Sequence, residues 1–198
     1  MGSLTAAGSA AIRAYGVRTV IDLRGPDEVS AVASPFGPGI VYRNVLVDGE
    51  HTLKLHEHAK AGTMADQLAD LARPGSGLRA ALAAIASADP AVVVHCQAGR
   101  DRTGIVMALL LAVLGVADHD IVADHCASDA ELIDEYVRFR AEHPEIAADM
   151  AERQERRAWA MGELLSALRA EHDGPTVYLE HIGLLPEEIR RLREFLVK

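Results

Sequence analysis

The chain reads as an α/β protein: a mostly parallel central sheet flanked by helices, with a helix-rich C-terminal half. Three observations predict this. Short β-branched or apolar runs at residues 19–23, 40–47 and 91–94 alternate with stretches of helical periodicity. Clusters of Gly and Pro punctuate the intervals between them. After Thr103, helical patterns follow one another with no further strand-like run. No internal repeat or low-complexity linker divides the chain, so one domain over residues 1–198 is expected.

Each element has its own signal. Residues 5–14 are small and helix-forming, and Gly16 supplies the stop. Residues 19–23 and 40–47 form the first two strands, the second following Pro35, Gly37, Pro38 and Gly39. Helices are expected over 65–72, before Pro74-Gly75, and over 78–88, before Pro90. Residues 91–94 are continuously apolar, the pattern of a strand buried on both faces of a parallel sheet. Residues 147–170 read as one long charged helix whose run Glu152-Arg153-Gln154-Glu155-Arg156-Arg157 is a solvated face. Pro186 opens the last helix, with Ile189, Leu192, Phe195 and Leu196 on one stripe.

The most informative segment lies between the strand at 91–94 and the apolar run at 105–114. It reads His95-Cys96-Gln97-Ala98-Gly99-Arg100-Asp101-Arg102-Thr103-Gly104. A loop joining a strand end to a helix start turns several backbone N–H groups toward one point, where an anion is stabilised. The thiolate of Cys96 would be the first such anion. Arg102 adds a planar fork that holds two phosphoryl oxygens. The spacing Cys-x5-Arg fits phosphoryl transfer; a sulfurtransferase loop is shorter, and its arginine would fall at Asp101. In an open parallel sheet, ligands bind beyond the carboxyl ends of the strands, so Cys96 is expected to follow a central strand.

This loop resembles that of the protein-tyrosine-phosphatase superfamily. Asp101, directly before the arginine, narrows the resemblance to the atypical bacterial tyrosine/lipid phosphatase family. Gly16 through Arg24 with Glu28 behind it, Asp120 through Asp124, and Tyr178 through Leu196 resemble further segments of that family. The chain departs from it at Arg100, where members usually carry Lys. It departs again in an N-terminal segment shorter than usual, which would leave a sheet edge uncovered, and in a short stretch between Arg43 and Ala91 where some relatives carry a helical lid. The resemblance implies a hydrolase acting on phosphotyrosine, with a breadth that extends to phosphoserine, phosphothreonine and phosphoinositides.

The residues assign roles within such a reaction. Cys96 attacks phosphorus and forms a phosphocysteine. Arg102 and the N–H groups of Gln97, Ala98, Gly99 and Arg100 hold the equatorial oxygens. Thr103 either donates to the departing sulfur or caps the helix. A general acid must protonate the leaving oxygen. Asp101 is the first candidate, its other role being an ion pair with Arg24 or Arg100. Asp48 is the second, its other role being a turn before Gly49. Asp22 is read as a brace for the loop, and His95 as an orienting hydrogen bond. Cys126 reads as a small buried hydrophobe, with a resolving thiol as the minor alternative.

Composition bounds the rest. A length of 198 residues with 49% hydrophobic content suits one sizeable core, and 4% aromatics leaves that core to Ala, Val, Leu and Ile. A net charge of −9 disfavours nucleic acid and anionic membranes as partners. A phosphate site must then be a local basic island, with Arg24, Arg100 and Arg102 as contributors. Only two cysteines, no signal-peptide pattern and no run of membrane-spanning length suit a reducing cytoplasm. His51, His56 and His58, and likewise His119, Asp124 and His125, lack ligand spacing, so no metal or cofactor is expected. Partners are then phosphorylated proteins or lipid or small-molecule phosphates. Two other classes stay open: a phosphatase of inositol phosphates or nucleotides, and a binding module without turnover. An intact Cys96 and Arg102 argue against the last.

Overall fold

The computed structural model describes residues 4–29, 36–47 and 72–196. Among these, three short strands form a parallel sheet: β1 (Thr19–Asp22) in the middle, β2 (Val41–Asn44) on one side and β3 (Val92–His95) on the other. Alternation along β1 sends its side chains to both faces. Val20 joins a small cluster with Val17, Phe36 and Ile40, while Ile21 and Leu23 enter the main core. Helix α1 (Ala6–Ala14) closes the first face through Ile12. The Thr5 hydroxyl caps it, accepting the Gly8 N–H at 3.1 Å. Gly16, at φ +91°, ends it as the spacing predicts.

The opposite face carries α2 (Leu78–Ala86) and α3 (Asp101–Val113). Ile105, Val106, Leu109 and Leu110 on α3 are all buried, and they cover more than one side of the helix. A helix apolar nearly all round belongs inside a core. The helix-rich half then follows: α4 (Asp118–Glu131), α5 (Ile133–Glu142), a 3-10 turn (Pro144–Ile146), α6 (Ala147–Glu155), α7 (Arg157–His172), α8 (Pro175–His181) and α9 (Pro186–Leu196). Helix α7 packs on α4, α8 on α7 and α3, and α9 on α2. One apolar cluster runs without a break from Ile21 and Leu23 through α2 and α3 to Leu164, Leu179 and Leu192. Among the described residues no helix is long and apolar enough to cross a membrane.

Two expectations are corrected. Among the described residues the strand that leads to Cys96 is not central: β3 lies at the edge of the sheet, and its three valines are only half-buried. Among the described strands the fully buried one is β1, which alone of the three has neighbours on both sides. A run of valines records apolarity but not how many strands flank it. The long charged helix is also two helices, parted at Arg156. Its run is not wholly solvated: Arg157 is fully buried and paired to Asp129 on α4. A helix period cannot separate an arginine on the polar face from one turned inward to a partner. The helix expected over 65–72 lies outside the described residues, apart from Ala72.

Candidate active site

Parallel pairing builds the site. The register sets Asp22 of β1 beside Asn44 of β2 and His95 of β3, so all three strands end at one level. The chain leaves β3 into Cys96, which is buried. His95 Nδ1 lies 3.0 Å from the Cys96 carbonyl oxygen; since a carbonyl only accepts, this nitrogen carries the proton. Burial pushes the His95 pKa down, which keeps the ring neutral in this orienting role. The loop turns at Gly99, at φ +69°, where a side chain would be strained. Helix α3 begins at Asp101, and no side chain caps it. Its first-turn N–H groups therefore face the loop for an anion to use. Thr103 lies inside that first turn rather than at the cap, and its buried hydroxyl has no hydrogen-bond partner among the described residues.

Arg102 is buried at the loop's end and interacts electrostatically with Cys96. Its two terminal nitrogens donate to Glu28, at 2.6 and 2.7 Å. Glu28 is itself held by the Gly25 N–H at 3.0 Å. The hydrogen bond from Arg102 draws the Glu28 carboxyl below its ordinary pKa, against burial. This end-on fork leaves the side edge of the guanidinium, Nε–H with a neighbouring N–H, for phosphoryl oxygens. Glu28 was singled out in the sequence only as part of the resemblance. Its pairing spans 74 residues, and no spacing rule reaches that far. A lysine at 102 could serve neither fork. Arg102→Lys is expected to lower kcat/KM by about 100-fold or more, the ~3 kcal/mol that one preorganised donor supplies. Steady-state kinetics on an aryl phosphate measures it.

Asp22 braces the floor. It is fully buried and accepts from Arg24 Nε at 2.9 Å, Arg24 Nη2 at 2.7 Å, the Arg24 backbone at 3.0 Å and the Tyr42 hydroxyl at 2.7 Å. Asn44 ties the turn by donating to the carbonyls of Asp22 and Arg24 at 3.0 and 2.8 Å. Burial alone would raise the Asp22 pKa; the hydrogen bonds from Arg24 and Tyr42 outweigh it and hold the carboxyl at about 2, down from 3.8. Burial, with Asp22 adjacent, pushes the Tyr42 phenol up to about 12. A depressed carboxyl stabilises the fold at every pH above its unfolded value and loses that contribution as pH falls toward its folded value. The loss, roughly 2 kcal/mol, is expected between about pH 4 and pH 2. In Asp22→Asn this acid limb flattens, and stability at neutral pH falls because Arg24 is left unpaired in a buried position. Urea unfolding across pH checks both effects.

The remaining candidates are placed as follows. The Asp101 carboxylate is partly exposed and faces Arg100 Nε at 3.5 Å, not Arg24. Arg100 is mostly buried; its Nη1 donates to the Tyr136 hydroxyl, and its guanidinium carbon lies 5.0 Å from that ring's centre. Gln97 approaches Arg24 Nη1 at 3.5 Å, and Ala98 is exposed. Asp48, His51, His56 and His58 lie outside the described residues. Cys126 is half-buried, and burial raises its pKa. His119 projects into solvent while His125 is buried, so these two do not converge. The basic island exists, but each of its cations already has a carboxylate: Arg24 has Asp22, Arg102 has Glu28 and Arg100 has Asp101.

Comparison with known proteins agrees with this geometry. The sequence profile of the tyrosine phosphatase family matches residues 1–198. A tyrosine-protein phosphatase of Nostoc commune is 30% identical over 213 aligned positions, covering 98% of this chain and 70% of the relative. A Cupriavidus necator protein provisionally designated a tyrosine-protein phosphatase is 32% identical over 127 positions, covering 60% of this chain and 46% of the relative. A family match over the whole length, on a chain whose parallel sheet delivers a buried cysteine and a clamped arginine to one loop, shows that this chain belongs to the tyrosine phosphatase family.

Proposed function

We propose that the protein is a cysteine-dependent phosphomonoester phosphatase that works through a phosphocysteine, with phosphotyrosine as its first substrate class and phosphoserine, phosphothreonine or phosphoinositides as its range. The observation that carries this reading is one loop: buried Cys96, the uncapped start of α3, and Arg102 clamped by Glu28 through its two terminal nitrogens. In the first step the Cys96 thiolate attacks phosphorus, the bond to the leaving oxygen breaks, and Asp101 gives that oxygen a proton. Arg102 and the N–H groups from Gln97 onward hold the equatorial oxygens. In the second step Asp101 takes a proton from water, the hydroxide attacks phosphorus, and the S–P bond breaks. Thr103 then donates a hydrogen bond to the departing sulfur, a use that fits its unpartnered hydroxyl. Residues 1–198 act as a single phosphatase domain, a reading supported by the continuous core.

The paired cations favour singly phosphorylated groups. Among the described residues, each arginine of the loop region is already balanced by a carboxylate, which leaves little charge for a polyanionic small molecule. The test is acid quench of turnover on a phosphotyrosyl peptide, followed by mass analysis of the Cys96 peptide, beside a panel of phosphoseryl peptides, phosphoinositides and inositol phosphates. The expected result is one phosphoryl group on Cys96 and the highest kcat/KM on the phosphotyrosyl peptide. Turnover with no phosphoryl-enzyme, or inositol phosphates as the best substrates, would overturn the reading.

A further inference from the structure

Three helices that contribute nothing to the phosphate loop converge behind it. Arg157, the first residue of α7, is the largest fully buried side chain among the described residues. It donates to Asp129 on α4 and, at 3.2 Å, to the Tyr136 hydroxyl on α5, while its Nε has no hydrogen-bond partner among the described residues. The same Tyr136 oxygen accepts from Arg100, the residue that precedes the first turn of α3. His125 on α4 seats its ring directly against that turn: a Cβ placed on Gly104 would lie 2.4 Å from His125 Nδ1. Burial keeps this histidine's pKa low. The helical half thus meets the end of the loop and the first turn of α3 at two points, a phenol oxygen at Arg100 and an imidazole edge at Gly104.

A wholly buried arginine is an expensive way to fill a core. Its desolvation costs several kcal/mol, and an apolar side chain of similar volume is often neutral or better for stability. The pairing therefore makes more sense as geometry than as stability. At Tyr136 Oη a core cation and a loop cation meet on one atom. Resting on the reading of this loop as the catalytic one, we propose that Tyr136 and Arg157 are positioning residues: through that oxygen they hold Arg100, and with it the start of α3, in the arrangement that receives the transition state. Preorganised N–H groups act on the transition state more than on the bound substrate. Loosening them should therefore reach kcat before KM.

The experiment is a double-mutant cycle on an aryl phosphate, with inorganic vanadate affinity measured in parallel. Tyr136→Phe removes one oxygen and keeps the ring. It is expected to lower kcat about tenfold with KM within about threefold, and to weaken vanadate by a similar factor. In an Arg100→Met background the same substitution should change neither quantity, since the group it acts through is gone. Arg157→Lys keeps a charge for Asp129 but cannot fork to both partners, and should reproduce the Tyr136→Phe loss without adding to it; if that variant does not fold, the Tyr136 cycle decides alone. Equal losses in both backgrounds would reduce Tyr136 to a packing residue and overturn the proposal, as would an unchanged kcat. If the wild-type protein turned over no substrate, the phosphatase reading alone would fall, and the vanadate cycle would still decide the positioning.

Discussion

Cys96→Ser is expected to lower turnover of an aryl phosphate by about four orders of magnitude or more, the scale on which loss of a nucleophile acts. The substitution nearly keeps the size of the side chain and replaces the sulfur nucleophile of the proposed reaction by a hydroxyl, a far weaker one. The oxyanion site should survive it. His95 reaches the Cys96 backbone carbonyl rather than its sulfur, and Arg102 is anchored by Glu28. Vanadate or phosphate should still bind, and the urea midpoint should stay close to wild type. Turnover within a factor of a few of the parent would remove Cys96 as nucleophile.

The fold was legible where local chemistry decides it. Thr5, Gly16, the β-branched run of β1 and the apolar run of α3 each act within a few residues, and each marks an element of the structure. The loop at residues 96–102 could be placed for the same reason, between a strand end and a helix start. What escaped the sequence depends on pairs far apart in the chain. Glu28 meets Arg102 across 74 positions, and Arg157 meets Asp129 across 28. In the sequence, Glu28 is one carboxylate among many, and Arg157 ends a run of charges that resembles a solvated helix face. Only the tertiary fold shows that one clamps the loop arginine and the other is buried. The place of β3 at the sheet edge escaped for a related reason, since pairing order is a property of three strands together.

Carboxylate pairing, two of the pairs between near neighbours and one across 74 positions, also changes how the basic island works. From composition, Arg24, Arg100 and Arg102 form a positive patch that attracts phosphate by net charge. In the structure each is committed to a carboxylate, so in the proposed reaction attraction would come from the edge of Arg102 that Glu28 does not engage and from backbone dipoles. Such a site selects by shape and hydrogen-bond direction more than by charge. That is consistent with an acidic protein, net charge −9, accommodating an anion at all.

Asp101→Asn carries the second large expected effect, and it separates two roles that the geometry brings together. The carboxylate stands at the first residue of α3, partly open to solvent, with Arg100 Nε at 3.5 Å. If it protonates the leaving oxygen, its loss costs most where the leaving group needs a proton most. Alkyl phosphates should slow by about 10²–10⁴-fold, the contribution of a positioned general acid, while p-nitrophenyl phosphate slows far less. The basic limb of the pH–kcat profile should flatten in the same variant. If Asp101 only holds Arg100, both substrates slow by one common factor and the limb persists. Comparing Asp101→Asn alone and in an Arg100→Met background sharpens the distinction: a brace has no further effect once its partner is gone, whereas a proton donor keeps its leaving-group dependence. Should the brace result be found, Asp48→Asn, assayed on the same two substrates, is the next test for the proton donor.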